Sequence, residues 1–197
     1  TTPEDDEFVA TLTHLGGKKL TKFSLNTKDK ATEAKSVIKE KKLTINGIKK
    51  RQKFRNPKPP FTTSTLQQAA SSRLYFSAKK TMQIAQKLYE GISIQGETFG
   101  LITYMRTDGI NMANEAINAT RVLIKSDFGE NYLPETVRIY KNKAKNAQEA
   151  HEAIRPTDLR LHPNDLETYL DSDQYKLYDL IRKRTIASQM ESEVRDQ

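Results

Sequence analysis

The chain has 197 residues, with 33 Lys and Arg against 25 Asp and Glu, so its formal net charge is +8. This length suits one or two domains, and the absence of cysteine excludes disulfides, thiolate nucleophiles and cysteine-rich zinc sites. Three scattered His residues give no sign of a His-only metal site, and no apolar run is long enough to span a membrane. The first residues contain neither an initiator Met nor a signal peptide, which predicts an internal piece of a longer polypeptide.

The whole surplus of positive charge lies in the first third of the chain. Residues 1–60 carry 15 basic and 7 acidic side chains, whereas residues 61–197 carry 18 of each. The densest part, residues 39–58, has nine basic side chains and one acid. Such a run attracts a polyanion such as nucleic acid. Lys and Arg on the edge of a sheet also prevent unwanted strand pairing, so both interpretations stay open.

The first third is predicted to be α+β. Period-2 alternation indicates strands and three- to four-residue spacing indicates a helix, which gives strands at 8–13, 20–25 and 43–48, a turn at 14–17 and a helix at 31–41. Three prolines between Pro57 and Pro60 then stop any regular element. A hinge or domain boundary is expected there.

The rest of the chain is predicted to be mostly helical. Thr62 to Ser64 can cap a helix that carries Leu66 and Leu74, and Ser77 can cap a second helix that ends before Gly91. This pair resembles a helix-turn-helix, although any compact helical domain contains such pairs. The remaining predictions are an apolar strand or extended segment at 98–105 and helices at 111–128, 146–154, 165–170 and 173–189.

One candidate reactive group is Tyr104, which is followed by Arg106 and Asp108. In an extended segment, side chains two residues apart share a face, so Tyr104 and Arg106 are expected to project together. A phenol has a pKa of about 10 and needs a base or a cation to become a nucleophile. An Arg supplies a permanent charge and a fork that matches two phosphate oxygens, so the pair fits attack on a phosphodiester. The alternative is that Tyr104 is a half-buried core tyrosine and Arg106 a surface partner of Asp108.

The second candidate group is His151 with Arg155. If the helix predicted at 146–154 continues, the two side chains share one face and both can donate to a phosphate. A His can also pass a proton to a leaving alkoxide. The alternative is a solvated His151 paired with Glu152 or Asp158.

Four long motifs occur together in one order: PPFTTSTLQQAAS at Pro59 to Ser71, FSAKKTMQIAQKLYEG at Phe76 to Gly91, GLITYMRTD at Gly100 to Asp108 and HEAIRPT at His151 to Thr157. This conjunction closely resembles the cleavage region of bacterial type IA DNA topoisomerases. The resemblance is specific from about Phe54 to Pro156 and looser elsewhere.

The resemblance implies an enzyme that cleaves single-stranded DNA, passes another strand through the gap and reseals it without ATP. Tyr104 matches the tyrosine that forms a 5′-phosphotyrosyl bond and leaves a free 3′-hydroxyl. Arg106 matches the arginine that holds the scissile phosphate, His151 matches a histidine near the same phosphate, and Asp108 lies close enough to contribute. Arg106, Asp108, His151 and Arg155 are the expected DNA-binding residues.

The resemblance also implies an α+β architecture in three parts. Residues 1–61 would belong to a β-rich arch, residues 62–190 would form a helical, winged-helix-like cleavage domain, and residues 191–197 would return into the arch. Pro59 to Ser64 matches the joint about which the cleavage domain lifts.

Two departures from the family stand out. After Asp108 the chain reads Gly109-Ile110 where the family more often has Ser-Thr, and no acidic cluster matches the family's magnesium-binding domain. We therefore expect Mg²⁺ to be held by ligands outside this chain. The expected partners are single-stranded DNA and the rest of the same polypeptide, in a cytoplasmic monomer without a membrane. The rival hypothesis is a non-catalytic module or gate that only binds single-stranded DNA.

Overall fold

A computed structural model describes residues 9–42, 44–140 and 152–196. The chain forms two compact units, Thr1–Lys50 and Arg51–Gln197, here called the N-terminal and C-terminal units. Helices and short antiparallel strands occur together in the described parts of the chain. The predicted α+β class is therefore confirmed.

The described part of the N-terminal unit contains one helix and a hairpin whose two strands have two residues each. Strands β1 (His14–Leu15) and β2 (Lys18–Lys19) pair antiparallel. The turn between them has positive φ at two glycines, which accept that conformation without strain. Helix α1 (Lys28–Lys39) begins after Thr27, whose side chain accepts a hydrogen bond from the Lys30 amide. The predicted turn and helix are confirmed, and the helix begins three residues earlier than expected.

The three strands predicted in the first third are wrong. Described residues 9–13 and 44–48 form no strand, and residues 22–25 form a turn. Most of the described apolar side chains that carried the alternating pattern are exposed, for example Val9 at 99% and Ile45 at 77%. Alternation produces a strand only when one face packs against other residues, and among the described residues Val9 and Ile45 remain largely exposed.

The C-terminal unit begins and ends with paired strands. Strand β3 (Gln52–Arg55) pairs antiparallel with β6 (Glu193–Asp196), which is the last strand of the described chain. The two segments that connect to the helical core therefore run side by side. The predicted division of the chain at 61/62 and 190/191 stays a prediction.

Two capped helices follow the proline segment. Helix α2 (Thr63–Leu74) starts with a capping box in which the Thr62 and Thr65 side chains each accept a hydrogen bond from the other residue's amide. Helix α3 (Ala78–Glu90) is capped by Ser77 and ends at Gly91. Both helices agree with the sequence prediction.

A hairpin after α3 was absent from the prediction. Strands β4 (Ile92–Ile94) and β5 (Glu97–Phe99) pair antiparallel around Gln95 and Gly96, which both have positive φ. Two consecutive residues of this kind form the type of turn that matches strand twist. The sequence signal was weak because Gln is an unusual residue at the first of these positions.

The later helices agree with the prediction in part. Helix α4 (Asn114–Asp127) has Ala113 at its N-cap without a side-chain hydrogen bond, so it begins three residues later than the predicted position 111. Helix α5 (Ser172–Ser188) is capped by Asp171 and confirms the prediction. Short 3₁₀ helices occupy Glu130–Tyr132 and Pro163–Leu166, and the second replaces the helix expected at 165–170.

The helix predicted at 146–154 lies mostly outside the described residues. Its described end is not helical, because Ile154 forms a β-bridge with Phe61 and Pro156 forms one with Ile102. The interpretation that His151 and Arg155 share one helical face is therefore wrong. His151 itself lies outside the described residues.

The main core of the C-terminal unit is formed where α2, α3 and α5 pack together. Fully buried side chains come from each helix and from the segments between them, namely Phe61, Leu66, Leu88, Leu101, Ile102, Met105, Ile154, Leu177, Tyr178 and Ile181. None of the described helices is long and apolar enough to cross a membrane.

Candidate active site

The segment from Gly100 to Asp108, here called the tyrosine segment, is held by backbone hydrogen bonds along its first half. The Leu101 amide donates to the Leu88 carbonyl at 2.7 Å, which joins the segment to the end of α3. On the other side, the Thr103 amide donates to the Arg155 carbonyl and the Thr157 amide donates to the Leu101 carbonyl. The segment is thus fixed between a helix and an extended strand-like stretch.

The second half of the tyrosine segment is held by Thr63 at the start of α2. The Thr63 amide donates to the Thr107 carbonyl at 2.9 Å, and the Thr107 amide donates to the Thr63 hydroxyl at 2.9 Å. The same hydroxyl lies 2.7 Å from the Met105 carbonyl. Because a hydroxyl can both donate and accept, Thr63 holds the backbone of the segment at two positions, Met105 and Thr107.

Burial alternates along the segment from Tyr104 onward. Met105 and Thr107 are buried, whereas Tyr104, Arg106 and Asp108 are exposed. The buried pair anchors the segment in the core. The three polar side chains therefore lie on its solvent side, as the period-2 argument for Tyr104 and Arg106 expected.

Tyr104 packs against a second tyrosine. Its ring meets the Tyr89 ring edge to face, with centroids 5.3 Å apart and planes at 65°. This is a favourable arrangement of two aromatic quadrupoles. Tyr104 nevertheless keeps 42% of its surface exposed. A neighbour orients the ring without enclosing it, which fits the half-buried tyrosine of the alternative as well as a nucleophile.

Gly100 allows the tyrosine segment to approach α3 closely. A Cβ atom at this position would lie 2.7 Å from the Tyr89 carbonyl oxygen, which is a backbone atom at the end of the helix. The contact leaves no room for any larger residue. The close approach is what brings Tyr104 beside Tyr89.

Arg106 lines a cleft of about 850 Å³ along the exposed side of α3. Lys79, Lys80 and Lys87 line the same cleft, together with the carboxylates Asp171 and Asp173 at the start of α5. Lys80 is paired with Asp173 at 2.6 Å. The other charged side chains of the cleft are mostly positive, which suits an anionic ligand beside Arg106.

Arg155 is turned into the fold. Its guanidinium donates to both carboxylate oxygens of Glu152, at 3.2 and 2.8 Å, and the same carboxylate accepts a hydrogen bond from the Ala113 amide at the start of α4. The Arg155 side chain is 15% exposed. In this arrangement Arg155 ties the stretch after His151 to α4, and its expected contact with DNA stays a prediction.

Sequence reasoning missed the residues that fix the site. Thr63 was considered only as part of a cap cluster, and Tyr89, which is 40% exposed, was given no role at the site. Thr103, which donates to the Ala153 carbonyl at 2.7 Å and accepts from the Arg155 amide at 3.0 Å, gave no signal. Their partners lie about 15 to 50 residues away along the chain, beyond the reach of local patterns.

The described residues contain no group of three or more carboxylate or imidazole side chains that could hold a metal ion. Asp171 and Asp173 are a pair, and Asp173 is already matched to Lys80. These residues do not fit a magnesium site, so no chemical step is assigned to a metal here. The expectation that Mg²⁺ ligands lie outside this chain stays a prediction.

Comparison with known proteins identifies the family of the chain. A family model described as DNA topoisomerase matches residues 4–197. The chain is 56% identical over 189 residues to DNA topoisomerase 1 of Rickettsia bellii, covering 96% of this chain and 24% of that protein. It is 51% identical over 175 residues to DNA topoisomerase 1 of Helicobacter pylori strain J99, covering 89% and 24%.

A solved structure is also similar. Full-length topoisomerase I from Thermotoga maritima matches with a TM-score of 0.65 and 44% identity, covering 75% of this chain and 23% of that chain. The chain belongs to the DNA topoisomerase family, and within it to the bacterial type IA enzymes that its motifs resemble. It spans about a quarter of the length of the curated relatives that it matches.

Proposed function

We propose that this chain supplies the nucleophile of a type IA DNA topoisomerase, with Tyr104 attacking a phosphodiester of single-stranded DNA. The observation that carries the proposal is the placement of Tyr104. It is exposed on a segment whose backbone is fixed on both sides, and Arg106 follows on the same solvent side beside a cationic cleft. A fixed nucleophile next to a phosphate-binding charge lowers the entropic cost of reaching the transition state.

In the proposed step, the Tyr104 phenol oxygen forms a bond to phosphorus. The bond from phosphorus to the 3′ oxygen of the preceding nucleotide breaks, and the phenol proton is lost while the 3′ oxygen gains one. The products are a 5′-phosphotyrosyl link and a free 3′-hydroxyl, and attack by that hydroxyl reverses the step. The covalent link keeps the energy of the broken bond, so resealing needs no ATP.

Arg106 is proposed to hold the scissile phosphate and to stabilise the negative charge that grows on its oxygens. His151 is proposed to lie near the same phosphate, and Asp108 to assist. Arg155 is expected to contact DNA only if its pair with Glu152 opens, because that carboxylate occupies the guanidinium in the structure. Strand passage, relaxation of negative supercoils and a magnesium site belong to the longer polypeptide, which we propose to act as a cytoplasmic monomer.

The proposal is tested in a complete enzyme. Residues 1–197 replace the matching segment of the Rickettsia bellii relative, and relaxation of negatively supercoiled plasmid is measured. We expect the chimaera to relax the plasmid and the Tyr104→Phe chimaera to lose all relaxation. Tyr75→Phe is the matched control, since this ring is 89% exposed and lies at the far end of α2. Substantial relaxation by the Tyr104→Phe chimaera refutes the role of Tyr104.

A second candidate function is a gate that binds single-stranded DNA without cleaving it when separated from the rest of the enzyme. The cationic cleft along α3 favours it, because Lys79, Lys87 and Arg106 can neutralise phosphates without any chemistry. Binding through several phosphates makes the affinity fall steeply as salt increases. Salt-dependent binding without a covalent product in the isolated chain would select this function.

A further inference from the structure

A second cationic cleft lies in the C-terminal unit next to the predicted joint that begins at Pro59, and Tyr104 is not among its lining residues. It has a volume of about 280 Å³ and lies where the segment after β3 meets the ends of α2 and α5. Its lining includes four cations, Arg55, Lys58, Arg73 and Arg184. This group is here called the joint cleft.

Arg184 is the most constrained of these cations. It is half-buried, and its guanidinium carbon lies 4.2 Å from the centroid of the buried Phe61 ring. One N–H donates to the Pro59 carbonyl at 3.4 Å. Burial lowers the pKa of Arg184, and the nearby positive charge of Arg73 lowers it further. Two guanidinium groups thus line the same cleft, although like charges repel.

The acids in the joint cleft are paired with cations other than Arg73 and Arg184. Glu191 pairs with Arg138 at 3.2 Å, and Glu193 pairs with Arg195 at 2.6 Å, while Arg55 stands 4.0 Å from Glu193. Within the described chain, neither Arg73 nor Arg184 has a carboxylate at ion-pair distance. A half-buried Arg beside another Arg is unfavourable unless an anion joins them.

We propose that the joint cleft binds a phosphate group between Arg73 and Arg184, with Lys58 at its rim. A guanidinium fork donates two parallel hydrogen bonds to phosphate oxygens, and a tetrahedral phosphate offers enough oxygens for two forks at once. The phosphate comes either from a nucleic-acid backbone or from free inorganic polyphosphate. The inference does not depend on Tyr104 acting as a nucleophile.

The test is calorimetric titration of the 197-residue chain with inorganic pyrophosphate at constant ionic strength. Every protein also carries Arg106→Ala, so that the cleft along α3, which Arg106 lines, contributes less to the measured binding. We expect Arg73→Gln to weaken binding at least tenfold, because a charge-assisted hydrogen bond is lost. Arg73 is exposed, so the variant should keep the wild-type circular dichroism spectrum.

Two further variants make the result specific. Lys183→Gln removes an exposed charge one residue from Arg184 that is already paired with Asp179, so binding should stay within twofold. Arg184→Lys keeps the charge but loses the fork, and should weaken binding measurably. Equal affinity of the Arg73→Gln and unsubstituted chains, or equal weakening by Lys183→Gln and Arg73→Gln, overturns the proposal.

A single-stranded oligonucleotide distinguishes the two sources of phosphate. If a nucleic-acid backbone enters the joint cleft, Arg73→Gln lowers the slope of log affinity against log salt by about one, and pyrophosphate competes with the oligonucleotide. If the cleft takes free polyphosphate, oligonucleotide binding is unchanged while pyrophosphate binding still falls. Both results support a phosphate site and assign its source.

Discussion

Arg106 follows Tyr104 by two residues on the solvent side of the tyrosine segment, and its contribution can be measured without disturbing the core. Arg106→Ala should lower the yield of covalent DNA adduct by about 10²-fold, because a group that stabilises transition-state charge is lost. The side chain is exposed, so the melting temperature should change little. The yield is measured by denaturing gel with labelled oligonucleotide.

The control for this prediction is Arg160→Ala, which removes an exposed arginine paired with Asp158 on another part of the surface. It should leave the adduct yield unchanged. A normal yield from folded Arg106→Ala protein would remove Arg106 from the mechanism.

At the scale of single residues, the sequence identified Tyr104 and Arg106 as candidates but did not identify the residues that hold their segment in place. Their period-2 spacing in an apolar run was enough to predict a shared exposed side. Thr63 and Tyr89 were not identified, because their roles come from contacts with a segment that lies some 15 to 44 residues later. Such contacts exist only after the chain has folded.

At the scale of elements, the packing of the tyrosine segment against α3 depends on Gly100. Gly100→Ala should destabilise the fold by about 1–3 kcal/mol and lower the adduct yield as well. The added Cβ would meet the Tyr89 carbonyl at 2.7 Å, and a backbone atom at the end of a helix cannot move aside cheaply. Urea unfolding and the adduct assay measure the two effects.

Gly47→Ala is the matched control, because a Cβ there has open space around it. It should change neither quantity. If Gly100→Ala has the stability and yield of the unsubstituted chain, the close approach to α3 is unimportant for the site.

The elements that the sequence predicted well are those with local signals. Helices α2, α3 and α5 each carry a side-chain cap, at Thr62, Ser77 and Asp171, and those caps are visible in the sequence. The strands predicted in the N-terminal unit were wrong because a strand also depends on contacts that are not local. Alternation is local, but a strand also needs a partner and a surface, and in the described part of the chain residues 9–13 and 44–48 form no strand.

At the scale of the whole molecule, the core of the C-terminal unit should show a response to alkaline pH that traces to Tyr178. Its ring is fully buried, and its hydroxyl donates to the Leu161 carbonyl at 2.9 Å. Burial raises the pKa of Tyr178 to about 12. Because the pKa of Tyr178 is raised in the folded state, the protonated hydroxyl stabilises the fold. This contribution is complete below a pH of about 10, the ordinary pKa of tyrosine, and is lost as the pH rises toward 12.

Tyr178→Phe should therefore lower the free energy of unfolding by about 1–3 kcal/mol at pH 7, because the buried Leu161 carbonyl loses its donor. Above pH 10 the stability of this variant should fall less steeply than that of the unsubstituted chain. Denaturant unfolding between pH 7 and 11.5 measures both effects, with exposed Tyr75→Phe as the control. Identical pH profiles for Tyr178→Phe and the unsubstituted chain would contradict the assignment.

The central claim is that Tyr104 forms a covalent bond with DNA, and a denaturing gel tests it most directly. The chain is incubated with a 3′-labelled single-stranded oligonucleotide, alone and as the chimaera with the Rickettsia bellii relative. We predict label that migrates with the chimaera and is absent from its Tyr104→Phe variant. Label on the protein that persists in Tyr104→Phe, or no label on a chimaera that still relaxes plasmid, would contradict the claim.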